Sequence, residues 1–307
     1  MTEDNVKVNS LRAWVLAARP KTLTAAAVPV MIGVAMHAVG GCWSADTLPA
    51  VLCFLFAFVL QIDANLVNDY FDFAKGTDDE FRLGPKRACA QGWVTLPAMR
   101  RAIALTTLVG CAVGLPLVLY GGWEMIGVGV LCVVFCFLYT TCLSYMGLGD
   151  VLVLVFFGLV PVCATYYVTA SAGAERFSWN GVLLAVSCGL VVDTLLVVNN
   201  YRDIDNDRRT GKRTLIVRIG HRAAEWLYLG LGYVACTVSA GVLLNVDCRR
   251  VTLLLLVYVV LHTQTYRKMK RIAVGSALNA ILGMTARNIF IYGLLVAACL
   301  VSLRWLQ

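Results

Sequence analysis

Apolar residues in this chain gather into long uninterrupted runs instead of the short-period alternation of a water-facing fold. The runs predict membrane-spanning helices at about 22–39, 48–66, 102–120, 123–141, 149–170, 180–199, 225–244, 251–266 and 286–304, nine in all. The eighth is the shortest. Residues 272–285 form a further, weakly apolar stretch that suits either an interfacial or a re-entrant segment. Before the first run, Leu11, Trp14, Val15 and Ala18 recur at helical spacing beside Arg12 and Arg19, and Pro20 ends the pattern. That arrangement predicts a short helix lying in the membrane interface.

Composition agrees and narrows the class. The 307 residues are 60% hydrophobic and 14% charged, with mean hydropathy +0.76. Soluble domains carry about 45–50% apolar and about 25% charged residues. Scattered Gly and few Pro exclude collagen and disordered chains as well. Eight of the twelve cysteines (Cys53, Cys111, Cys132, Cys136, Cys163, Cys188, Cys236 and Cys299) sit in apolar runs, and no Cys-x-x-Cys pair occurs. Such cysteines read as small hydrophobes. With only His37, His221 and His262 besides, thiolate or imidazole metal sites have little support. The polar first ten residues do not resemble a cleavable signal peptide.

Charge sets the orientation. Twenty-two of the 26 Lys and Arg fall on one side: four before the first span, six in 67–101, seven in 200–224 and five in 267–287. The other side holds only Arg176, Arg249, Arg250 and Arg304. Nine spans with an inside amino terminus reproduce this bias. The net charge of +8 therefore needs no nucleic-acid partner; it suits loops facing anionic lipid and an anionic substrate.

Two of the cytoplasmic connections begin alike. The second span ends in Asn65-Leu-Val-Asn68-Asp69-Tyr70-Phe71-Asp72, with Asp78 beyond, and the sixth in Asn199-Asn200-Tyr201-Arg202-Asp203-Ile204-Asp205-Asn206-Asp207. The Asn-to-Asp step is i, i+4 in both, and the two motifs lie 134 residues apart, as in a two-fold internal repeat. On a continuing helix, Asn65, Asn68, Asp69 and Asp72 share one face, as do Asn199, Asp203 and Asp207. Each helix mouth then presents a column of hard oxygen atoms suited to Mg²⁺. The plainer reading is a run of solvated loop charges. Asp63 and Asp193 lie deeper and read either as water-lined structural carboxylates or as substrate groups. Lys75, Arg82, Lys86 and Arg87 follow the first motif, while Arg202, Lys212 and Arg213 accompany the second. Cations beside carboxylate-bound Mg²⁺ are suited to stabilising a departing diphosphate.

These motifs resemble those of the UbiA superfamily of intramembrane prenyltransferases, in particular its branch that prenylates 1,4-dihydroxy-2-naphthoate. The residues carrying the resemblance are Ala18-Arg19-Pro20-Lys21-Thr22-Leu23, Asn68-Asp69-Tyr70-Phe71-Asp72 with Gly76-Thr77-Asp78, Gly84-Pro85, Gly147-Leu148-Gly149-Asp150 with Phe156-Phe157-Gly158, and Asn199-Asn200-Tyr201-Arg202-Asp203 with Gly211-Lys212-Arg213-Thr214-Leu215. They run from residue 18 to about 220; the last third matches in hydropathy alone. The broad family's first signature has a third Asp where this chain has Gly76, and Asp78 follows two residues later.

The resemblance implies an all-α integral membrane protein: one polytopic prenyltransferase domain over 1–307, with an interfacial segment at 1–21 and cytoplasmic catalytic connections at 67–101 and 200–224. It implies transfer of a polyprenyl group from a polyprenyl diphosphate to 1,4-dihydroxy-2-naphthoate in menaquinone synthesis, in the bacterial inner membrane and in contact with membrane lipid. Asp69, Asp72, Asp203 and Asp207, with Asp78, would hold Mg²⁺, and Arg202, Lys212 and Arg213 would add positive charge. Asn65, Asn68, Asn199 and Arg87 would contact the substrate. Arg19 or Lys21 would hold the acceptor carboxylate. Tyr70, Phe71, Tyr139, Tyr145, Phe156, Phe157, Tyr166 and Tyr201 are candidates to face the allylic cation, and Asp150 is a candidate base. Another aromatic acceptor (hydroxybenzoate, homogentisate or haem) is the nearest alternative. A cation-coupled transporter is a distant one, because its carboxylates belong at the bilayer midplane.

The charge bias makes a topological prediction. An impermeant thiol label directed to residues 80–95 and 205–220 is expected to react from the cytoplasmic side, and one at 171–178 from the opposite side. Reaction of all three from one side would refute the layout.

Overall fold

The computed structural model describes residues 6–39, 45–76 and 82–306. Its elements are α1 (Leu11–Ala18), α2 (Leu23–Ala35), α3 (Thr47–Ala74), α4 (Leu96–Gly121), α5 (Glu124–Leu143), α6 (Gly149–Thr169), α7 (Trp179–Arg202), α8 (Ile204–Arg209), α9 (Leu215–Asn245), α10 (Leu255–Ile272) and α11 (Leu278–Leu306). Among the described residues, eight helices are long and apolar enough to cross a membrane, with α1 and α2 counted as one. The chain is a multi-pass membrane protein.

The run expected at 251–266 is α10, a ninth long helix too polar to meet that standard. Its last turns carry the exposed Arg267, Lys268, Lys270 and Arg271, while mid-helix polar groups turn inward: His262 stacks between Tyr228 and Tyr258 at 4.6 and 5.4 Å, and its Nε2 bonds the Tyr228 carbonyl at 3.0 Å. Thr265 accepts from Asn288 at 2.8 Å. The ambiguous stretch 272–285 forms no separate element. Residues 273–277 form a turn, and 278–285 are the opening turns of α11.

The predicted interfacial helix is α1, capped by the Ser10 hydroxyl, which accepts from the Ala13 amide. Ala13 and Ala17 face the protein, while Leu11 and Val15 are exposed. Arg19, at φ 50°, turns the chain into Pro20–Thr22 and on into α2.

Helix α2 packs against α3, α6, α7 and α11, with α7 in turn against α6, α9 and α11, so α2 and α7 form the centre. Their apolar core includes Val28, Ile32, Leu184, Cys188, Val191 and Tyr292. Helices α4 and α5 lie outside α3, and residues 124–138 of α5 bury nothing. Hydrophobic burial gives no drive between helices already in lipid, so the contacts depend on close packing and hydrogen bonds. At the α6–α7 crossing the backbones touch. A Cβ on Gly158 would lie 2.5 Å from the Ala185 carbonyl oxygen and 2.8 Å from Cα of Gly189. Helix α6 widens by one residue over Val155–Leu159, just before Pro161. Proline has no amide to bond the Phe157 carbonyl, and the Cys188 thiol donates to that oxygen instead, at 3.5 Å.

The close crossing should be intolerant of bulk. Gly158→Val is expected to cost about 1–3 kcal/mol of stability, read as a lower midpoint of thermal unfolding in detergent. Gly127→Val, where a Cβ meets nothing within 4 Å, is expected to be silent.

Candidate active site

Both acidic motifs continue the helices that precede them. Helix α3 runs on to Ala74, past the expected end of its span. Helix α7 ends at Arg202, yet helical hydrogen bonding carries through the break: the Asp203 amide bonds Asn199 O at 3.2 Å, and the Asp207 amide bonds Asp203 O at 2.8 Å. The two helix ends border the mouth of one cavity of about 910 Å³. Asn68, Asp72, Arg87, Asn199, Asp203, Asp207 and Lys212 line that mouth, with Arg19, Lys21 and Asn65 beside them. Deeper in, the walls are apolar, reaching Cys53, Leu117 and Val168.

Asp72 and Asp207 are both buried, at 6% exposure each. Arg87 approaches Asp72 at 3.5 Å. Burial pushes the Asp207 carboxyl up to about 6, with Lys212 and Arg202 opposing and the like charges of Asp203 and Asp72 adding to the effect. Its Oδ2 is buried with no hydrogen-bond partner among the described residues. A buried carboxylate oxygen without a donor is costly, and a hard cation is the natural complement. Among the described residues, no three acidic, His or Cys side chains converge as a ready metal cage. That fits Mg²⁺, which takes one or two carboxylates and completes its shell with water and phosphate oxygens.

Lys212 lies 5.6 Å from the centre of the Tyr145 ring, and Lys75 lies over the same ring at 4.1 Å. Tyr145 is thus a platform for the lysines and lies off the cavity. Asn65 donates to Ala18 O at 2.9 Å and to the Thr22 hydroxyl at 2.8 Å, fastening the α1–α2 turn to α3.

Several expected site residues stand elsewhere. Asp69 does not line the cavity: its Oδ2 accepts from the Ala88 amide at 2.9 Å and its Oδ1 from the Cys89 amide at 3.0 Å. Arg202 is also withdrawn, holding Asp203 through Nε at 2.8 Å and Nη2 at 2.5 Å, Asn279 at 2.7 Å and Asn199 at 2.9 Å. Arg213 is exposed and off the cavity. Asp150 faces a separate chamber of about 10 Å³ with Tyr139, Asn200 and Lys212, room for about one water molecule. Asp78 lies outside the described residues. Of the aromatic candidates, Tyr139, Phe156 and Phe157 line the cavity, whereas Tyr166 stacks on His37 and Tyr201 bonds Glu225. Asp63 joins α3 to α4 by accepting from Thr106 and, at 2.7 Å, from Thr107. Asp193 is buried behind the cavity wall.

Asn279, at the start of α11, borders the mouth and was not signalled by any motif. Phe135, stacked at 4.8 Å on Phe156, was hidden within an apolar run.

A family model described as the UbiA prenyltransferase family matches residues 26–271. The chain is 37% identical over 229 residues to the 1,4-dihydroxy-2-naphthoate octaprenyltransferase of Escherichia coli, covering 72% of each chain. It is 38% identical over 231 residues to the protein of the same description from Mycobacterium tuberculosis, covering 74% of this chain and 76% of that one. A UbiA homolog from Archaeoglobus fulgidus, solved bound to GPP and Mg²⁺, shares the fold with a TM-score of 0.65 at 14% identity, over 93% of this chain and 99% of that one. A helical membrane bundle with a charged mouth above an apolar shaft, matched over most of its length, belongs to the UbiA prenyltransferase family.

Proposed function

We propose that this protein transfers a polyprenyl group from an allylic polyprenyl diphosphate to 1,4-dihydroxy-2-naphthoate, giving demethylmenaquinone in its reduced, quinol form. The observation that carries the reading is the sorting of one cavity into a mouth with both signs of charge and a shaft of apolar walls. The mouth suits a diphosphate and the shaft an isoprenoid tail. Relatives described as octaprenyltransferases for this acceptor support the choice of both substrates.

In this reading Asp207 and Asp72 would hold Mg²⁺, with Asp203, Asn68 and Asn199 beside them. When bound, the ion neutralises charge on the departing diphosphate. Arg87, Lys86 and Lys212 bind the diphosphate oxygens directly. The allylic C–O bond breaks, and the ring carbon bearing the acceptor carboxylate forms the new C–C bond as carbon dioxide leaves from the same carbon and its bonding pair restores the ring. Tyr139, Phe135, Phe156 and Phe157 face the cationic allyl group, each contributing about 1–2 kcal/mol where water is excluded. Arg19 and Lys21 orient the acceptor through its carboxylate. The concentration of Lys and Arg on the motif side supports a cytoplasmic mouth, in a bacterial inner membrane.

Purified protein given a long-chain allylic diphosphate and a panel of aromatic acids should form a product whose mass corresponds to prenylated, decarboxylated naphthoate. Prenylation of hydroxybenzoate or homogentisate instead would replace the acceptor assignment.

The carboxylates should be separable by charge. Asp72→Asn and Asp207→Asn are each expected to lower kcat by about a hundredfold or more, about 2.7 kcal/mol. Chelation should abolish wild-type turnover and Mg²⁺ should restore it. Asp46→Asn, at the far end of α3, should be silent. Full turnover in excess chelator would exclude the metal role.

A further inference from the structure

Residues 82–94 border the cavity mouth, and their side chains divide into two groups. Arg82, Pro85, Lys86 and Arg87 line the cavity. The residues around them are tied down at both ends. At the far end, the consecutive amides of Ala88 and Cys89 donate to the two oxygens of Asp69. Ala88, Cys89, Trp93 and Val94 then pack on Ala13, Ala17 and Leu66. At the near end, Asn279 donates to the Leu83 carbonyl at 2.9 Å while accepting from Arg202 at 2.7 Å. Gly84 rests on the same guanidinium: a Cβ there would lie 2.7 Å from Nη2 of Arg202. Between the ends, Arg82 Nε donates to Pro85 O at 3.2 Å and closes the turn.

We propose that residues 83–89 form a strap across the cavity mouth, with Asp69 and the Arg202–Asn279 pair as positioning residues that present Lys86 and Arg87 to the diphosphate. Asp69 is thereby a backbone anchor and no metal ligand. The chemistry requires a carboxylate at this position. Two buried N–H donors need two acceptor oxygens, and the amide of Asn would offer one acceptor and turn its NH₂ toward the other donor. Arg87 immediately precedes the anchored pair, so freedom at Ala88 and Cys89 becomes freedom of the guanidinium beside Asp72. The strap also joins the two acidic motifs, since Asp69 belongs to one and Arg202 to the other.

This inference rests on the diphosphate reading of the mouth, and its test separates the two. Cys89 is 5% exposed and reports the anchored end without substrate, while exposed Cys142 is the internal standard. In detergent, maleimide labelling of Cys89, followed by peptide mass spectrometry, is expected to be about tenfold faster in Asp69→Asn than in wild type. In the transfer assay the same variant should raise KM for the allylic diphosphate about tenfold, keep kcat within about threefold and leave the Mg²⁺ dependence unchanged. Added to Arg87→Ala, it should raise KM no further. Asn279→Ala and Gly84→Val, at the other end, should raise the same KM while leaving Cys89 protected, so the strap is testable even if Asp69→Asn does not fold. Unaltered Cys89 labelling in Asp69→Asn would overturn the proposal, as would a collapse of kcat with a shifted Mg²⁺ requirement. Faster labelling with an unchanged KM would likewise overturn it. Absence of any prenyl transfer by the wild type would instead refute the underlying function and leave the Cys89 result standing.

Discussion

Buried carboxylates at the edge of the bilayer are the constraint on which this architecture depends. Asp69, Asp72, Asp203 and Asp207 are all at most 8% exposed, and an uncompensated buried charge costs several kcal/mol. The protein resolves each one differently. Asp69 takes two backbone amides, Asp203 takes a two-point contact from Arg202, and Asp72 takes Arg87. Asp207 keeps a buried oxygen that meets no donor among the described residues. Compensation is therefore graded from complete to incomplete across the mouth. The incomplete end is the one that opens on the cavity, where an incoming cation and diphosphate can supply what the fold withholds.

That grading explains which parts of the site were legible in the sequence. The apolar runs marked the helices because lipid tolerates little else, and the Asn–Asp repeat marked the two helix mouths. Sequence spacing did not divide the columns. At about 100° per residue, Asp69 stands about 40° to one side of Asn65, whereas Asn68 and Asp72 stand about 60° and 20° to the other. The first group meets the 88–89 turn and the second meets the cavity, a distinction that depends on where a non-local segment packs. Arg202 was misread for the same reason. Its partner Asn279 comes 77 residues later and in turn holds Leu83, 119 residues before Arg202, and no local pattern links them.

Helix α10 shows the converse failure, where composition misleads and packing compensates. Its mid-helix His262 and Thr265 weaken the hydropathy signal, yet His262 finds a partner on α9 and Thr265 one on α11. The aromatic stack of Tyr228, His262 and Tyr258 does what an apolar face does elsewhere, burying ring against ring.

The shaft below the mouth completes the division of labour. From Cys53 to Asp72 the cavity wall follows α3 for nineteen residues, about 28 Å at 1.5 Å per residue, close to the thickness of a bilayer's hydrocarbon. Its outer wall is α4 and α5, the helices that bury least. An isoprenoid tail held there exchanges one apolar environment for another, so the tail gains little free energy on entering from lipid. Recognition must then come from the charged end. That places the burden of affinity on the few basic groups at the mouth and on whatever fixes their positions: Asp69 is buried with both oxygens bonded, and the half-buried Asn279 bridges Arg202 and Leu83, whereas the shaft offers the tail apolar aliphatic and aromatic walls.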